Sequence, residues 1–382
     1  MIITRFCLKN WKNFREVDVA LGKRMFLVGA NGSGKSNFLD AFRFLREVAE
    51  NGLSKAVDAR GGISSLRCLA ARKTPDIALE LAIDDIWEYR LEFGGKIGEA
   101  AELRQETARS RAGTDAEWKT VLDRPDKNDK KDPLRLTQTA LEQISVNVDF
   151  RPVADFLKTI SYQHILPQVV RDPQGFSPNP VHNDPYGRDF VFRVLNTPKK
   201  TREARLSRIN KALQVAVPQF EGLDVTLDKK TGVPHLIVKY RHWRPEGAKQ
   251  DESSFSDGTL RLLALMWSMF EAKGPLLLEE PELSLHTSVV QCLPSMFAKL
   301  DRARKKESRQ VLISTHSEAL LSDPGVGPGE ILTLVLEENG TTVSTPEEAD
   351  KESMRAGLTA ADVFIPKTAP REAHQLSLFD IS

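Results

Sequence analysis

Residues 29–36 read Gly-Ala-Asn-Gly-Ser-Gly-Lys-Ser, the complete GxxxxGKS pattern of a phosphate-binding loop. An apolar stretch, residues 25–28, precedes this phosphate loop, and a helical pattern begins at Lys35. Glycines let backbone N–H groups approach a triphosphate closely, and the N-terminus of the following helix adds the positive end of its dipole. The pattern therefore predicts an ATP-binding site made by Asn31, Gly32, Ser33, Gly34, Lys35 and Ser36.

Two of these side chains have specific predicted roles. Lys35 would reach the β- and γ-phosphates, and the Ser36 hydroxyl would hold Mg²⁺. The alternative is a chance match in a loop of unrelated purpose. Chance would not also place a strand before the loop and a helix after it.

Composition limits the kind of protein. A chain of 382 residues suits two lobes, or one large α/β domain with an insertion. A net charge of +1 excludes a uniformly basic coat for nucleic acid but allows a local basic stripe. The three cysteines, Cys7, Cys68 and Cys292, have no CxxC spacing, which argues against a zinc site and fits a reducing cytoplasm. No apolar run approaches the ~20 residues that span a bilayer, so we expect a cytoplasmic protein without a membrane segment.

Short apolar strands alternate with helices on both sides of the chain's middle, which indicates an α/β fold with a mainly parallel sheet. Residues 2–8 and 17–21 are predicted strands with a turn at Lys9-Asn10. Residues 77–83, 89–93 and 102–107 have the alternation of an antiparallel β lobe. The predicted domains are residues 1–122 with the phosphate loop and this lobe, 123–250 as a linker and helical insertion, 251–345 as a second ATPase lobe, and 346–382 as a tail.

Two stretches of the middle region are rich in charge. Residues 123–133, Asp-Arg-Pro-Asp-Lys-Asn-Asp-Lys-Lys-Asp-Pro, have no aliphatic or aromatic side chain and are predicted to form an exposed loop. Residues 199–211 are predicted to form a helix whose six basic side chains lie mostly on one face. That face either contacts DNA phosphates or is an ordinary solvated surface. Without interleaved aromatic residues, the run gives no sign of base stacking.

The second half adds residues that would complete a nucleotide site. Residues 275–282 form an apolar strand that ends in Glu279 and Glu280, here termed the acidic pair. Glu279 would bind Mg²⁺ and Glu280 would be the general base for the attacking water, unless the pair is only a solvated turn. Residues 311–317 are likewise an apolar strand followed by a polar residue, His316. This histidine either contacts the γ-phosphate or orients the attacking water, or it is merely structural.

Residues 255–261, Phe-Ser-Asp-Gly-Thr-Leu-Arg, precede an amphipathic helix. Residues 256–259, here termed the signature turn, offer Ser256, the Gly258 backbone and Thr259 as a second anion site. A single ATP needs only one such site, so the turn makes sense if it caps an ATP bound by a second subunit. A plain helix N-cap is the alternative, and both readings can hold together.

The order of these motifs resembles the ATP-binding-cassette ATPases of the SMC/RecF superfamily, with Asn10 and Phe14 as the start. More narrowly, it is similar to compact AAA-type ATP-binding proteins akin to the ATPase part of OLD-family nucleases. The resemblance implies an ABC-type ATPase head and an ATP-hydrolysing switch that forms a homodimer around two ATP molecules. It also implies a glutamine that senses Mg²⁺ where the lobes join, for which Gln143 is favoured over Gln138.

The chain departs from the superfamily pattern at several places. Glu279 replaces the usual aspartate, Ser-Asp-Gly-Thr replaces Ser-Gly-Gly, and the middle lacks the heptads of a long coiled coil. We expect no room for a nuclease domain after residue 314, so a nuclease-type effector would be a separate chain. The resemblance then favours coupling to DNA engagement or to an effector, in anti-phage defence or DNA repair, with the nucleotide-binding subunit of an ABC transporter as the alternative.

The last predicted feature is a peptide near the C-terminus that resembles the sliding-clamp-binding pentapeptide of bacterial polymerases and repair proteins. Three apolar side chains would fill a cleft of the clamp while a glutamine fixes the register. The alternative is a tail that folds back onto its own core or onto a partner subunit. The residues concerned are Gln375, Leu376, Leu378 and Phe379.

Overall fold

The computed structural model describes residues 1–70, 76–96, 98–172, 184–241, 248–271, 274–303 and 309–369. They belong to two compact units. Unit 1 is made from Met1–Ile160, Gly274–Leu277 and Arg309–Ser382, and unit 2 from Ser161–Lys273 and Leu278–Ser308. The predicted boundaries after residues 122 and 345 therefore lie inside unit 1, and the one after residue 250 lies inside unit 2.

Unit 1 contains the predicted antiparallel lobe as a six-stranded sheet of order β2-β1-β4-β5-β6-β7. Its first hairpin differs from the expectation. β1 continues past Lys9 to Trp11, which pairs with Phe14, so the turn lies at Lys12-Asn13 instead of Lys9-Asn10. The strands are β1 (Ile3–Trp11), β2 (Phe14–Ala20), β4 (Ile77–Ile83), β5 (Trp87–Gly94), β6 (Glu102–Ser110) and β7 (Lys119–Arg124).

A second sheet of unit 1 carries the phosphate loop. Its order is β15-β14-β3-β13-β12, with β13 and β14 each parallel to β3 and β15 antiparallel to β14. This confirms the α/β fold with a parallel phosphate-loop sheet and a separate antiparallel lobe. The strands are β3 (Arg24–Val28), β12 (Leu276–Glu279), β13 (Val311–Thr315), β14 (Ile331–Glu337) and β15 (Gly340–Ser344); β12 leaves unit 1 after Leu277.

Helix α1 (Lys35–Asn51) packs against both sheets of unit 1. Phenylalanines at helical spacing face the antiparallel sheet, where the Phe42 ring stacks on Phe6 at 3.9 Å between centroids. Each buried ring contributes roughly 1.5–3 kcal/mol through the hydrophobic effect. The other helices of unit 1 are α2 (Leu53–Asp58), α3 (Ile63–Leu66), α4 (Lys127–Lys131), α5 (Arg151–Lys158), α12 (Glu318–Leu321), α13 (Glu348–Arg355) and α14 (Ala360–Thr368), numbered along the whole chain.

The prediction of an exposed loop at residues 123–133 is wrong in part: most of these residues are exposed as expected, but the stretch is not a simple loop and two of its charged residues are buried. The run begins with the last two residues of β7 and contains helix α4, and both Arg124 and Asp129 are buried. Arg124 donates to Asp129 at 2.9 and 3.0 Å and to Glu106 of β6 at 3.2 Å. A buried charge is stable only when it is paired and hydrogen-bonded, and here each charge has such partners.

Unit 2 consists of helices around a small antiparallel sheet of order β11-β10-β9, with β8 as the neighbour of β12. The end of β12 leads into the helices after the acidic pair. The strands are β8 (Ser161–Gln163), β9 (Phe220–Leu227), β10 (Pro234–Tyr240) and β11 (Ala248–Asp251), and the helices are α6 (Pro167–Arg171), α7 (Phe190–Asn196), α8 (Lys199–Ala216), α9 (Asp257–Glu271), α10 (Thr287–Val290) and α11 (Leu293–Ala303).

Helix α8 is the predicted basic helix, but its six basic residues do not share one face. Arg205 lies over the Trp267 ring of α9 at 5.4 Å, next to the buried Leu206. The exposed basic residues are Lys199, Lys200, Arg208 and Lys211. The exposed basic surface of α8 is therefore made by four of the six basic residues that the sequence prediction counted.

Candidate functional site

Several positions of the phosphate loop have a backbone conformation or a close contact that only glycine allows. Gly34 has φ +95°, and an added Cβ would lie 2.0 Å from the Asn13 side-chain nitrogen. At Gly29 an added Cβ would lie 2.4 Å from the Ser33 hydroxyl and 2.6 Å from the Leu334 carbonyl oxygen. Around Gly32, with φ +79°, nothing lies within 4 Å of such a Cβ. The loop is tight at its base and open at the predicted phosphate side.

Lys35 and Ser36 differ in exposure in a way that fits their predicted roles. The Lys35 side chain is buried in the loop, where its Nζ donates to the carbonyl oxygens of Gly29 at 2.8 Å and Ala30 at 3.0 Å. Ser36, the second residue of α1, is exposed. An ammonium group within a ring of backbone groups is placed to meet an anion, and an accessible hydroxyl is placed to meet a hydrated cation.

The Asn13 side chain is hydrogen-bonded to the phosphate loop, a contact that the sequence did not indicate. Its Nδ2 donates to the Ser33 carbonyl at 3.3 Å and to Thr341 Oγ1 at 2.6 Å. Its Oδ1 accepts from Asn37 Nδ2 at 2.7 Å. The asparagine at the start of the chain that reaches the loop is therefore Asn13 and not Asn10, whose side chain donates to the Asp76 carbonyl instead.

His316 lies at the same sheet edge as the phosphate loop. In the parallel pairing of β13 with β3, Thr315 is opposite Val28. The next residues, His316 and Gly29, therefore leave neighbouring strands, whose spacing is about 4.8 Å. His316 is exposed, and the structure brings it to the loop as the sequence pattern predicts.

The acidic pair belongs to unit 2 and has two different environments. Glu279, half-buried at the end of β12, accepts a hydrogen bond from the Tyr162 hydroxyl of β8. Glu280 has φ +42°, in the left-handed region that residues other than glycine rarely occupy. Strained backbone of this kind is concentrated at functional sites. Burial lowers the pKa of His164, which follows β8.

The signature turn forms the N-terminus of α9 in unit 2. The Ser256 hydroxyl accepts from Thr259 N at 3.2 Å and contacts the Thr259 hydroxyl at 2.9 Å, so the N-cap reading is correct. Gly258 lies so close to the loop after the acidic pair that an added Cβ would be 2.6 Å from the Ser284 carbonyl oxygen. Thr259 is buried, and Ser256 is exposed.

Gln143 does not lie at the phosphate loop. Its side chain donates to the Thr139 carbonyl at 2.9 Å, and the neighbouring Glu142 accepts from Leu53 N at 2.8 Å. Leu53 follows the C-terminal end of α1, whereas the loop lies at the N-terminal end, about 25 Å away for a helix of this length. The helix thus separates Gln143 from the predicted Mg²⁺ site.

Gln163 was missed by sequence reasoning. It is buried on β8, directly after the residue that binds Glu279, and its Oε1 has no hydrogen-bond partner among the described residues. It also lies three residues after Ile160, where unit 1 gives way to unit 2. The Mg²⁺-sensing glutamine was expected where two lobes join. Had the boundary after Ile160 been predicted, that expectation would have indicated Gln163.

The structure tests two further features only in part. Within the described part of the chain, no cluster of three or more His, Cys, Asp or Glu side chains is arranged to hold a metal ion. Among the same residues, no helix is long and apolar enough to cross a bilayer. Gln375, Leu376, Leu378 and Phe379 lie outside the described residues.

Comparison with solved structures supports the fold. One match, described as "Crystal structure of the SmcHead bound to the C-winged helix domain of ScpA", has a TM-score of 0.51 and 16% identity and covers 93% of this chain and 100% of that one. Another is an Smc head domain with an extended coiled coil, bound to the C-terminal domain of ScpA, from Pyrococcus furiosus. Its TM-score is 0.51 and its identity 14%, over 93% of this chain and 98% of that one. No curated protein matches the sequence.

The family comparison covers most of the chain. Residues 24–322, from β3 through α12, match the family described as "AAA domain, putative AbiEii toxin, Type IV TA system". The match includes the phosphate loop, the signature turn, the acidic pair and His316. The chain therefore belongs to this AAA-domain family, and its fold is similar to that of SMC head domains.

Proposed function

We propose that the protein is an ATP-hydrolysing switch whose two copies join when ATP binds and separate when it is hydrolysed. The observation that carries this proposal is the organised edge of the β3–β13 sheet. There the phosphate loop, with Lys35 inside it, is next to His316, as the pairing of Val28 with Thr315 requires. A cation, backbone donors and an imidazole at one edge suit the binding and hydrolysis of a γ-phosphate.

The acidic pair supplies the remaining chemistry in this proposal. Glu280 is the general base that takes a proton from the attacking water, and His316 contacts the γ-phosphate or orients that water. Ser36 and Glu279 hold Mg²⁺, and Gln163 takes the role first given to Gln143. When bound, Mg²⁺ neutralises charge that develops on the phosphate oxygens. The Tyr162 hydroxyl restrains one oxygen of Glu279 and thereby orients the other.

The proposed dimerisation is argued from the second anion site, the signature turn. The N-terminus of α9 and the Ser256 hydroxyl suit a phosphate, while the first such site of the chain is at α1. A single ATP cannot use two helix N-termini of this kind fully. The signature turn, with Ser256, Gly258 and Thr259, therefore closes over the ATP that a second copy holds.

The switch controls either DNA engagement or a separate effector chain, such as a nuclease. The family description names a toxin of a type IV toxin–antitoxin system, which supports a role in defence over one in DNA repair. The SMC-head-like fold supports a switch of this type over the cassette of a transporter. Docking of the C-terminal peptide into a sliding clamp remains the proposal that would connect the protein to replication or repair.

Light scattering after size-exclusion chromatography tests the switch. Glu280→Gln should elute with twice the monomer mass in MgATP and as a monomer without nucleotide, and its turnover should fall at least ~100-fold, as expected for loss of a general base. Lys35→Ala in the same background is the control and should remain monomeric. A Glu280→Gln protein that binds ATP and stays monomeric would refute the two-copy switch.

A further inference from the structure

The signature turn contains a charge that opposes its proposed task. Asp257 is the first residue of α9, where a carboxylate is favourable for the helix dipole. The same carboxylate is unfavourable for a phosphate that approaches the same end of the helix, because like charges repel strongly where water is excluded. Asp257 also occupies the position at which the pattern Ser-Gly-Gly has no side chain at all.

Arg171 contacts this carboxylate directly. From the end of α6 its Nη2 donates to Asp257 Oδ1 at 2.6 Å and to the Phe255 carbonyl oxygen at 2.6 Å. Gln168, one turn earlier on α6, donates to the other oxygen of Asp257 at 3.4 Å. The exposed fraction is 25% for the Arg171 side chain and 38% for that of Asp257, so this ion pair is partly buried and only partly screened by solvent.

A second cation, Arg261, lies near Asp257 but has a different kind of contact with it. Arg261 lies one turn further along α9, and its charge interacts most strongly with Asp257 and then with Glu282 and Glu280. Burial lowers the pKa of Arg261, and its Nη1 reaches the Glu280 carbonyl at 3.5 Å. The direct hydrogen bonds to the Asp257 carboxylate come from α6.

We propose that Arg171 is a positioning residue that neutralises Asp257, so that the signature turn can accept the phosphates of an ATP held by the partner copy. This inference rests on the proposed two-copy switch. Arg171 does not contact the nucleotide. It removes the net negative charge from the first turn of α9 and ties the backbone just before Ser256. In a chain with glycine at position 257, Arg171 would be unnecessary.

Charge rescue tests the inference, with all variants built on Glu280→Gln. Arg171→Gln should raise the ATP concentration needed for dimer formation at least tenfold, because the unneutralised Asp257 faces the incoming triphosphate. Adding Asp257→Gly should restore dimer formation to within about threefold of the parent. Arg241→Gln, which removes one exposed positive charge from unit 2, should have no effect. Binding of a fluorescent ATP analogue to the monomer should be equal in all variants, since the phosphate loop is unchanged.

The outcomes separate this inference from the proposed function. If Glu280→Gln dimerises and Arg171→Gln dimerises equally well, the inference fails and the switch stands. If Asp257→Gly does not rescue Arg171→Gln, Arg171 acts only as a structural tether and the inference again fails. If Glu280→Gln itself stays monomeric with ATP, the switch and the inference fail together. Thermal unfolding of each variant shows whether a loss of dimer reflects a loss of fold.

Discussion

Residues 123–133 and 199–211 are both runs of charged residues, yet they differ in which of their side chains are buried. The first run is drawn into unit 1, where Arg124 and Asp129 have 5% and 0% of their side chains exposed. The second forms helix α8 of unit 2, which is held by Leu206, Ile209 and Leu213 and keeps several lysines in solvent. Most of both runs is exposed, but the buried residues of the first are a charged pair, whereas those of the second are apolar.

The difference lies in partners that are distant in sequence. Arg124 meets Glu106 of β6, which also accepts from the Tyr89 hydroxyl at 2.9 Å and from the backbone of Ala140 and Leu141. Burial raises the pKa of Glu106. Among the described residues, the lysines of helix α8 have no ion pair apart from the long 3.9 Å pair of Lys199 with Glu203. A charged run is buried when a sheet offers it counter-charges, and its own composition does not reveal this.

The largest expected effect comes from breaking the buried network. Arg124→Met removes the buried cation from Glu106 and leaves Asp129 with only the partly exposed Arg135, and removing one partner of a buried pair costs about 3–5 kcal/mol. Urea unfolding of the whole chain should show this loss of stability. Lys211→Met on the exposed face of α8 is the matched control and should change stability by less than about 0.5 kcal/mol. Equal losses in the two variants would contradict the contrast between the two runs.

The next effect concerns what holds the basic helix. Leu206→Ala should cost about 2–3 kcal/mol, the lower end of the Leu→Ala range, because α8 borders solvent and can partly close the cavity. Ser207→Ala, one residue further and exposed, is the control. A negligible loss for Leu206→Ala, measured by the same urea unfolding, would mean that charge and not apolar burial anchors α8.

A smaller effect is expected from acid. Hydrogen bonds from Arg124 hold the pKa of Asp129 well below its usual range, so its stabilisation is complete above about pH 4 and is lost as the pH falls further. The difference in unfolding free energy between the wild type and Asp129→Asn should therefore shrink from pH 5 towards pH 3. Asp115→Asn, at an exposed position, should show a constant difference. A difference for Asp129→Asn that does not change with pH would refute this account.

Local patterns were sufficient for most of the fold. The strand before the phosphate loop, helix α1 and strands β4 to β6 follow from apolar spacing together with glycine and turn signals, and the α/β class follows from their alternation. The errors were of another kind. A turn was predicted at Lys9-Asn10, but Asn10 adopts its positive φ of +55° within β1 and the strand continues. The burial of Arg124 was not predicted because its partner Glu106 lies on β6.

The candidate site shows the same division. The phosphate loop was predictable because one continuous stretch of sequence contains its whole pattern. Asn13, Gln163 and Arg171 were not, because their surroundings are distant in sequence. Asn13 donates to Thr341, Arg171 donates to Asp257, and Gln163 follows Tyr162, which donates to Glu279. Gln143 was chosen on sequence position alone, and helix α1 places it at the wrong end.

The smallest effect on stability is expected at the solvated end of the contrast. Replacing Lys199, Lys200 and Lys211 together by alanine should change the unfolding free energy by no more than about 0.5 kcal/mol per site, since exposed charges contribute little. The same variant decides whether this face binds DNA. If it does, the slope of log Kobs against log salt concentration should flatten by about 0.9 for each lost phosphate contact on duplex DNA. A mobility shift with an unchanged salt slope would mean that DNA binds another surface. The exposed lysines of α8 would then be an ordinary solvated surface.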